Sequence, residues 1–217
     1  MTCKALKILY KENTVVVIID YDAGNIKSVE KAVEYLGSDV VLSNDKKKIK
    51  SADRVILPGV GAFGDAMDNL KKYDLVETIR DYAKSGNPFL GICLGMQILF
   101  ENSDEDKEAE GLSVIKGSIK KIPAKDSFKI PHMGWNNLNI TDNNSRILKG
   151  IDSESYVYFV HSYYADACDK NDISATCDYT TTMDVVVERD NVFGCQFHPE
   201  KSSSTGLHIL KNFLEIK

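Results

Sequence analysis

Strand and helix signals alternate over the first hundred residues, the later half is mostly strand-like, and one helical run closes the chain. These three observations predict an α/β fold: an open, mostly parallel central sheet with helices on both faces, extended by antiparallel strands. Residues 1–14 read as a lysine-bearing N-terminal extension and residues 15–217 as one domain. Val15-Val16-Val17-Ile18-Ile19 is β-branched throughout, as in a strand buried on both faces. A turn cluster, Asp20–Asn25, precedes Ile26, Val29, Val33 and Leu36 at helical spacing, and Gly37 stops that helix. Val40–Leu42 and Arg54–Leu57 are the next strands, with Lys46–Lys50 between them as a solvated basic run. Helices are expected over Asp65–Tyr73 and Leu75–Lys84. Pro88–Ile92 has the length and flanks of a buried strand, after which Leu94, Ile98 and Leu99 fall at helical spacing. The acidic stretch Ser103–Gly111 reads as a mobile surface loop. Strands are expected at Val114–Ile119, Pro131–Asn136, Tyr156–Tyr163, Met183–Glu188 and Val192–Phe197, and a last helix over Thr205–Glu215.

Composition narrows the chemistry. With 43% hydrophobic and 27% charged residues the chain is ordinary globular material, and a net charge of −5 argues against nucleic acid or an anionic membrane as the main partner. Five cysteines, an odd number with no CxxC pair, point to reduced thiols in the cytoplasm rather than a disulfide framework or zinc site, and no metal or other cofactor is implied. Neither a signal peptide nor a run near the ~20 apolar residues of a membrane span is present.

The chain turns from strand to helix at Cys93, bracketed as Gly91-x-Cys93-x-Gly95. This is the thiol analogue of the Gly-x-Ser-x-Gly elbow, in which small flanks let strand and helix approach and push the nucleophile out of a sharp turn. The start of the following helix favours a thiolate, and the N–H of Leu94 is free to stabilise an oxyanion. A buried structural cysteine is the bland alternative. A second motif decides between them: in Phe197-His198-Pro199-Glu200, Pro199 keeps His198 extended, so the imidazole and the Glu200 carboxylate project together. Cys93 as nucleophile, His198 as general base and acid, and Glu200 holding one tautomer make a thiol triad. Gln97 lies one helical turn beyond Cys93 and is expected to orient a substrate. Pro58-Gly59-Val60-Gly61 lacks the Lys-[Ser/Thr] pair of a phosphate loop, which leaves a tight turn or an amide donor.

Gly91–Gln97 together with Phe197–Glu200 resembles the class I (triad) glutamine amidotransferases, which hydrolyse glutamine and pass ammonia to an acceptor site. Asp20-Tyr21-x-Ala23-Gly24-Asn25, Pro58–Gly61, Pro131–Asn136 and His198–Ser202 with Gly206-Leu207 are further similar to the glutaminase subunits of imidazole glycerol phosphate synthases, over about residues 15–217. The resemblance implies a heterodimer with a (β/α)₈-barrel cyclase, a lyase of histidine biosynthesis that uses the ammonia to make imidazole glycerol phosphate and an aminoimidazole carboxamide ribotide. It maps a second oxyanion donor to the Gly61 amide, binding of the amino-acid end of glutamine to the backbone of Ser162 and Tyr163, and partner-facing positions to Asn25, Tyr158 and Lys201. A chain ending at Lys217 has no room for the barrel, so the acceptor site is expected on another polypeptide. Asp22 stands where that family commonly has glycine, and the extension is not typical of it. A paralogue feeding ammonia to a sugar-modifying partner is therefore the alternative. A cysteine hydrolase of the same fold is disfavoured by Pro131–Asn136 and Lys201-Ser202, and a silent binding module by the intact Cys93, His198 and Glu200.

Overall fold

A computed structural model describes residues 15–217 of the chain; the extension expected over residues 1–14 lies outside the described residues. In chain order the first half runs β1 Val15–Ile19, α1 Ile26–Tyr35, β2 Asp39–Ser43, α2 Lys46–Lys50, β3 Arg54–Gly59, α3 Phe63–Lys72, α4 Val76–Ala83, β4 Phe89–Cys93 and α5 Leu94–Gln97. Then follow β5 Asn102–Ser103, β6 Gly117–Lys121, β7 His132–Asn137, β8 Asn139–Ile140, β9 Tyr156–His161, β10 Tyr163–Ala167, β11 Ile173–Asp178, β12 Thr182–Arg189, β13 Val192–Cys195 and α6 Ser203–Glu215.

The main sheet has the order β2-β1-β3-β4-β13-β12-β10-β6-β5. Its first five strands are mutually parallel, and β13-β12, β12-β10 and β10-β6 are antiparallel. The expected parallel sheet with an antiparallel extension is thus present. Its two faces are separately covered. Val17 and Ile19 face Met67, Leu70 and Ile79 of α3 and α4, while Val16 and Ile18 face Val29 and Val33 of α1 and Ile209 and Phe213 of α6. Both parities of β1 are buried because a helix layer lies on each side, which is why that strand carries no polar alternation.

Several expectations are corrected. Lys46–Lys50 is a short helix rather than a solvated run: Asp45 caps it by accepting from the Lys47 amide at 2.7 Å, and Ile49 is buried among the lysines. The acidic Ser103–Gly111 stretch is not free either. Glu105 accepts from the Phe63 amide at 2.8 Å, placing a carboxylate at the N-terminus of α3, where the unpaired N–H groups favour it. The strand expected over Tyr156–Tyr163 is two strands. β9 pairs only with β7 in a separate two-stranded sheet, the chain breaks at Ser162, and β10 joins the main sheet. Expected strand Val114–Ile119 sits instead at Gly117–Lys121, Val192–Phe197 ends at Cys195, and β11 carried no recognised signal.

Candidate active site

Three adjacent parallel strands deliver the site at their carboxyl ends, where α/β sheets place their ligands. β3 ends beside β4, with Gly59 opposite Cys93, and β13 flanks the other side, with Cys195 opposite Ile92. The loops after these strands therefore bring Gly61, Cys93 and His198 to one cavity of about 340 Å³.

Cys93 adopts φ 55 and ψ −113, a conformation that few non-glycine residues hold. The flanking glycines are steric necessities. A Cβ at Gly95 would lie 1.8 Å from the Leu57 carbonyl oxygen, and one at Gly91 would lie 2.7 Å from the Gly95 oxygen. The helix beyond is a single turn, Leu94–Gln97, so the effect expected of the helix start comes from the few free N–H groups there. Leu94 is the first of them, and its amide has no acceptor within the turn. Gly61 sits at φ +105, a backbone that a side chain would strain.

His198 Nδ1 lies 3.0 Å from Glu200 Oε1, with both side chains almost wholly buried. The two project together because His198 is extended and Pro199–Lys201 then forms a single 3-10 turn, not because the strand continues as expected. His198 Nε2 is buried, has no hydrogen bond of ordinary geometry, and has the Cys93 sulfur as its neighbour. Burial lowers the imidazole, but the Cys93 sulfur and the Glu200 carboxylate more than reverse this and raise it to about 9. Sulfur on one side and carboxylate on the other thus both favour the protonated imidazole.

Gln97 is buried rather than solvent-facing. Its Nε2 donates to the Tyr163 carbonyl at 3.0 Å and to Gln196 Oε1 at 2.9 Å, and Gln196 Nε2 points at Cys93 Sγ at 3.7 Å. The Ser162 carbonyl accepts from the Ile122 amide at 2.9 Å. With both carbonyls of Ser162 and Tyr163 engaged inside the chain, the pair offers a ligand its N–H groups, the chemistry a carboxylate requires. Glu105, also at the cavity, supplies negative charge.

The three expected partner-facing residues separate. Lys201 is exposed and Tyr158 half-buried with its ring edge-on to Trp135. Asn25 is half-buried and donates to Glu200 Oε1 at 2.6 Å, which buttresses the Glu200 carboxylate. Nothing in the sequence signalled this contact, nor the roles of Gln196 and Glu105, because each pairs residues remote in the chain or placed by a loop. Asp22 takes φ 64, the conformation a glycine would supply, and accepts from Lys72 and Tyr73, so the substitution leaves the loop path open to it.

The family model for glutamine amidotransferase class-I matches residues 17–216. Curated relatives named imidazole glycerol phosphate synthase subunit HisH include one from Caldanaerobacter subterraneus, 51% identical over 199 residues, covering 92% of this chain and 97% of that protein. Another, from Bacillus cereus, is 50% identical and covers 91% and 93%; one from Listeria monocytogenes is 46% identical and covers 93% and 95%. Among solved structures, PurLQS from Thermotoga maritima aligns with TM-score 0.73 at 19% identity, covering 93% of this chain and 98% of that one, a likeness of fold alone. A sequence match across nearly the whole chain, on a sheet that carries a cysteine elbow facing a His-Glu pair, places this chain in the class-I glutamine amidotransferase family.

Proposed function

We propose that the chain hydrolyses glutamine and supplies the ammonia to a (β/α)₈-barrel cyclase with which it forms a cytoplasmic heterodimer, a lyase of histidine biosynthesis. Cys93 Sγ attacks the carboxamide carbon, the developing oxyanion is met by the amides of Leu94 and Gly61, and His198 gives its proton to the departing ammonia. A γ-glutamyl thioester remains, and water activated by His198 releases glutamate. The Ser162 and Tyr163 N–H groups take the substrate carboxylate, Glu105 faces its ammonium, and Gln97 fixes the peptide between them. The observation that carries this reading is the buried His198, held by Glu200 on one nitrogen and open towards Cys93 on the other. The names of these relatives favour the histidine enzyme over the sugar-modifying paralogue.

The partner reading is supported by exposed Met133, Trp135 and Tyr156 on the β7-β9 sheet, an apolar surface next to Tyr158. Tyr158 also accepts the His198 amide at 3.0 Å, so that surface and the triad share a backbone contact. Gly61 borders the catalytic cavity and a second one of about 210 Å³ behind it, which leaves room for its peptide to be turned away until docking reorients it. A misdirected oxyanion donor costs about 10²–10³ in rate. Glutamate release is measured for the chain alone, with the barrel subunit, and with barrel plus nucleotide ligand. Rising rates are expected; equal rates reject the switch, and stimulation by a sugar-modifying partner alone selects the paralogue. In the complex, Cys93→Ala abolishes turnover with glutamine and spares turnover with added ammonium.

A further inference from the structure

Two buried histidines lie outside the triad. His132 opens β7, His161 closes β9, and the register sets them directly opposite each other. His132 Nδ1 is 2.9 Å from His161 Nε2, and His161 Nδ1 is 2.8 Å from the Tyr163 carbonyl oxygen. A carbonyl only accepts, so the proton of His161 is on Nδ1 and its Nε2 is bare. His132 must then donate from its own Nδ1, which leaves its Nε2 to accept from Asn136 Nδ2 at 3.3 Å. One acceptor at the end of the chain assigns every proton in it. Burial favours the neutral form of both rings, lowering His132 to about 4 and, against its hydrogen bond to the Tyr163 carbonyl, His161 to about 3. His132 is also fixed on both faces, stacked against Phe159 and Tyr179 with centroids 4.8 and 4.1 Å away.

The far end of this chain is the catalytic cavity. The Tyr163 carbonyl takes its second hydrogen bond from Gln97 Nε2, and since that amide must donate, its other proton goes to Gln196 Oε1. Gln196 is thereby oriented with its own amide towards Cys93 Sγ. Rotating the His161 ring would leave the Tyr163 carbonyl with its Gln97 hydrogen bond alone, at the first residue of β10, where the chain passes from one sheet to the other.

We infer that His132 and His161 form a tautomer-locked pair that positions the Tyr163 peptide, and so sets the Ser162 and Tyr163 N–H groups for the substrate carboxylate. The pair consists of positioning residues, since neither ring is required to touch the reacting atoms, and the inference rests on the glutaminase reading for its kinetic consequence. The spectroscopic consequence does not depend on that reading. Long-range ¹H–¹⁵N correlation spectra of the full chain should show both imidazoles protonated at Nδ1 and bare at Nε2, the minority tautomer of free histidine. An Nε2–H form at either ring, or averaging between the two forms, overturns the pair.

In the complex, His132→Phe keeps the aromatic stack and removes the donor. It should raise the KM for glutamine roughly five- to tenfold, the worth of one buried hydrogen bond, with kcat changed less than about twofold. His132→Asn, whose amide nitrogen can take the place of Nδ1, should bring KM most of the way back. An unchanged KM in the Phe variant, or an Asn variant no better than it, overturns the positioning role. If the Phe variant does not fold, the wild-type tautomers and the Asn variant decide. Wild-type complex that releases no glutamate refutes the glutaminase reading and leaves the tautomer result standing.

Discussion

Replacing Glu200 by glutamine removes a charge from the proposed triad while keeping its shape. Glu200 Oε1 accepts from two donors, His198 Nδ1 at 3.0 Å and Asn25 Nδ2 at 2.6 Å. An introduced amide can satisfy both only with its oxygen in that position, so Asn25 should select the rotamer that still accepts from Nδ1. The imidazole then keeps its tautomer, and the loss is that of a charged acceptor becoming neutral, about 1–2 kcal/mol. That corresponds to a fall in kcat of roughly 5- to 30-fold. It is far short of the ~10⁴ seen when a triad acid is replaced and the tautomer is lost. Asn25→Ala in the same background frees the amide to present its NH₂ group, and the double variant should fall well below the product of the single effects. The assay is steady-state glutamate release at saturating glutamine with the proposed barrel partner, for wild type, both singles and the double variant. The pH profile adds a second readout. Since the Cys93 sulfur and Glu200 together raise His198 to about 9, neutralising Glu200 lowers it, and the basic limb of the profile moves to lower pH. A loss near 10⁴ in Glu200→Gln alone, or strictly additive singles, would refute the reasoning that Asn25 sets the orientation.

Gly95→Ala puts a Cβ 1.8 Å from the Leu57 carbonyl, so it should destabilise the chain by more than about 2 kcal/mol in urea titrations; a neutral change would mean that the elbow can open without cost. Gln97→Ala removes donors to Tyr163 and Gln196 and should raise the KM for glutamine several-fold, and unchanged kinetics would reduce Gln97 to packing. The two neutral histidines predict acid sensitivity. Their folded values, about 4 and about 3, lie below the ordinary 6.5, so the unfolded chain binds more protons in that window and stability falls as pH drops from about 6.5. Denaturation measured down the pH range should show a shallower slope for His132→Phe than for wild type, and parallel slopes would contradict the assigned burial.

The amino-acid sequence by itself determined the features that local geometry encodes. The β-branched run at Val15–Ile19 could only be a strand covered on both sides, and Gly91-x-Cys93-x-Gly95 could only bring strand and helix this close with glycine at both flanks. His198 and Glu200 were legible as a pair because they stand two positions apart, although a 3-10 turn rather than an extended strand aligns them. Side-chain contacts between remote residues depended on register and on where the sheets divide. Asn25 and Glu200 meet across 175 positions only because the loops after β1 and β13 converge at the carboxyl ends of the parallel strands. His132 and His161 face each other only because β7 pairs with β9 apart from the main sheet, and Gln97 reaches the Tyr163 carbonyl because the chain leaves that pair at Ser162. Periodicity states which face of an element is buried, whereas the donor that meets a given acceptor there is fixed by packing between elements that the sequence lists far apart.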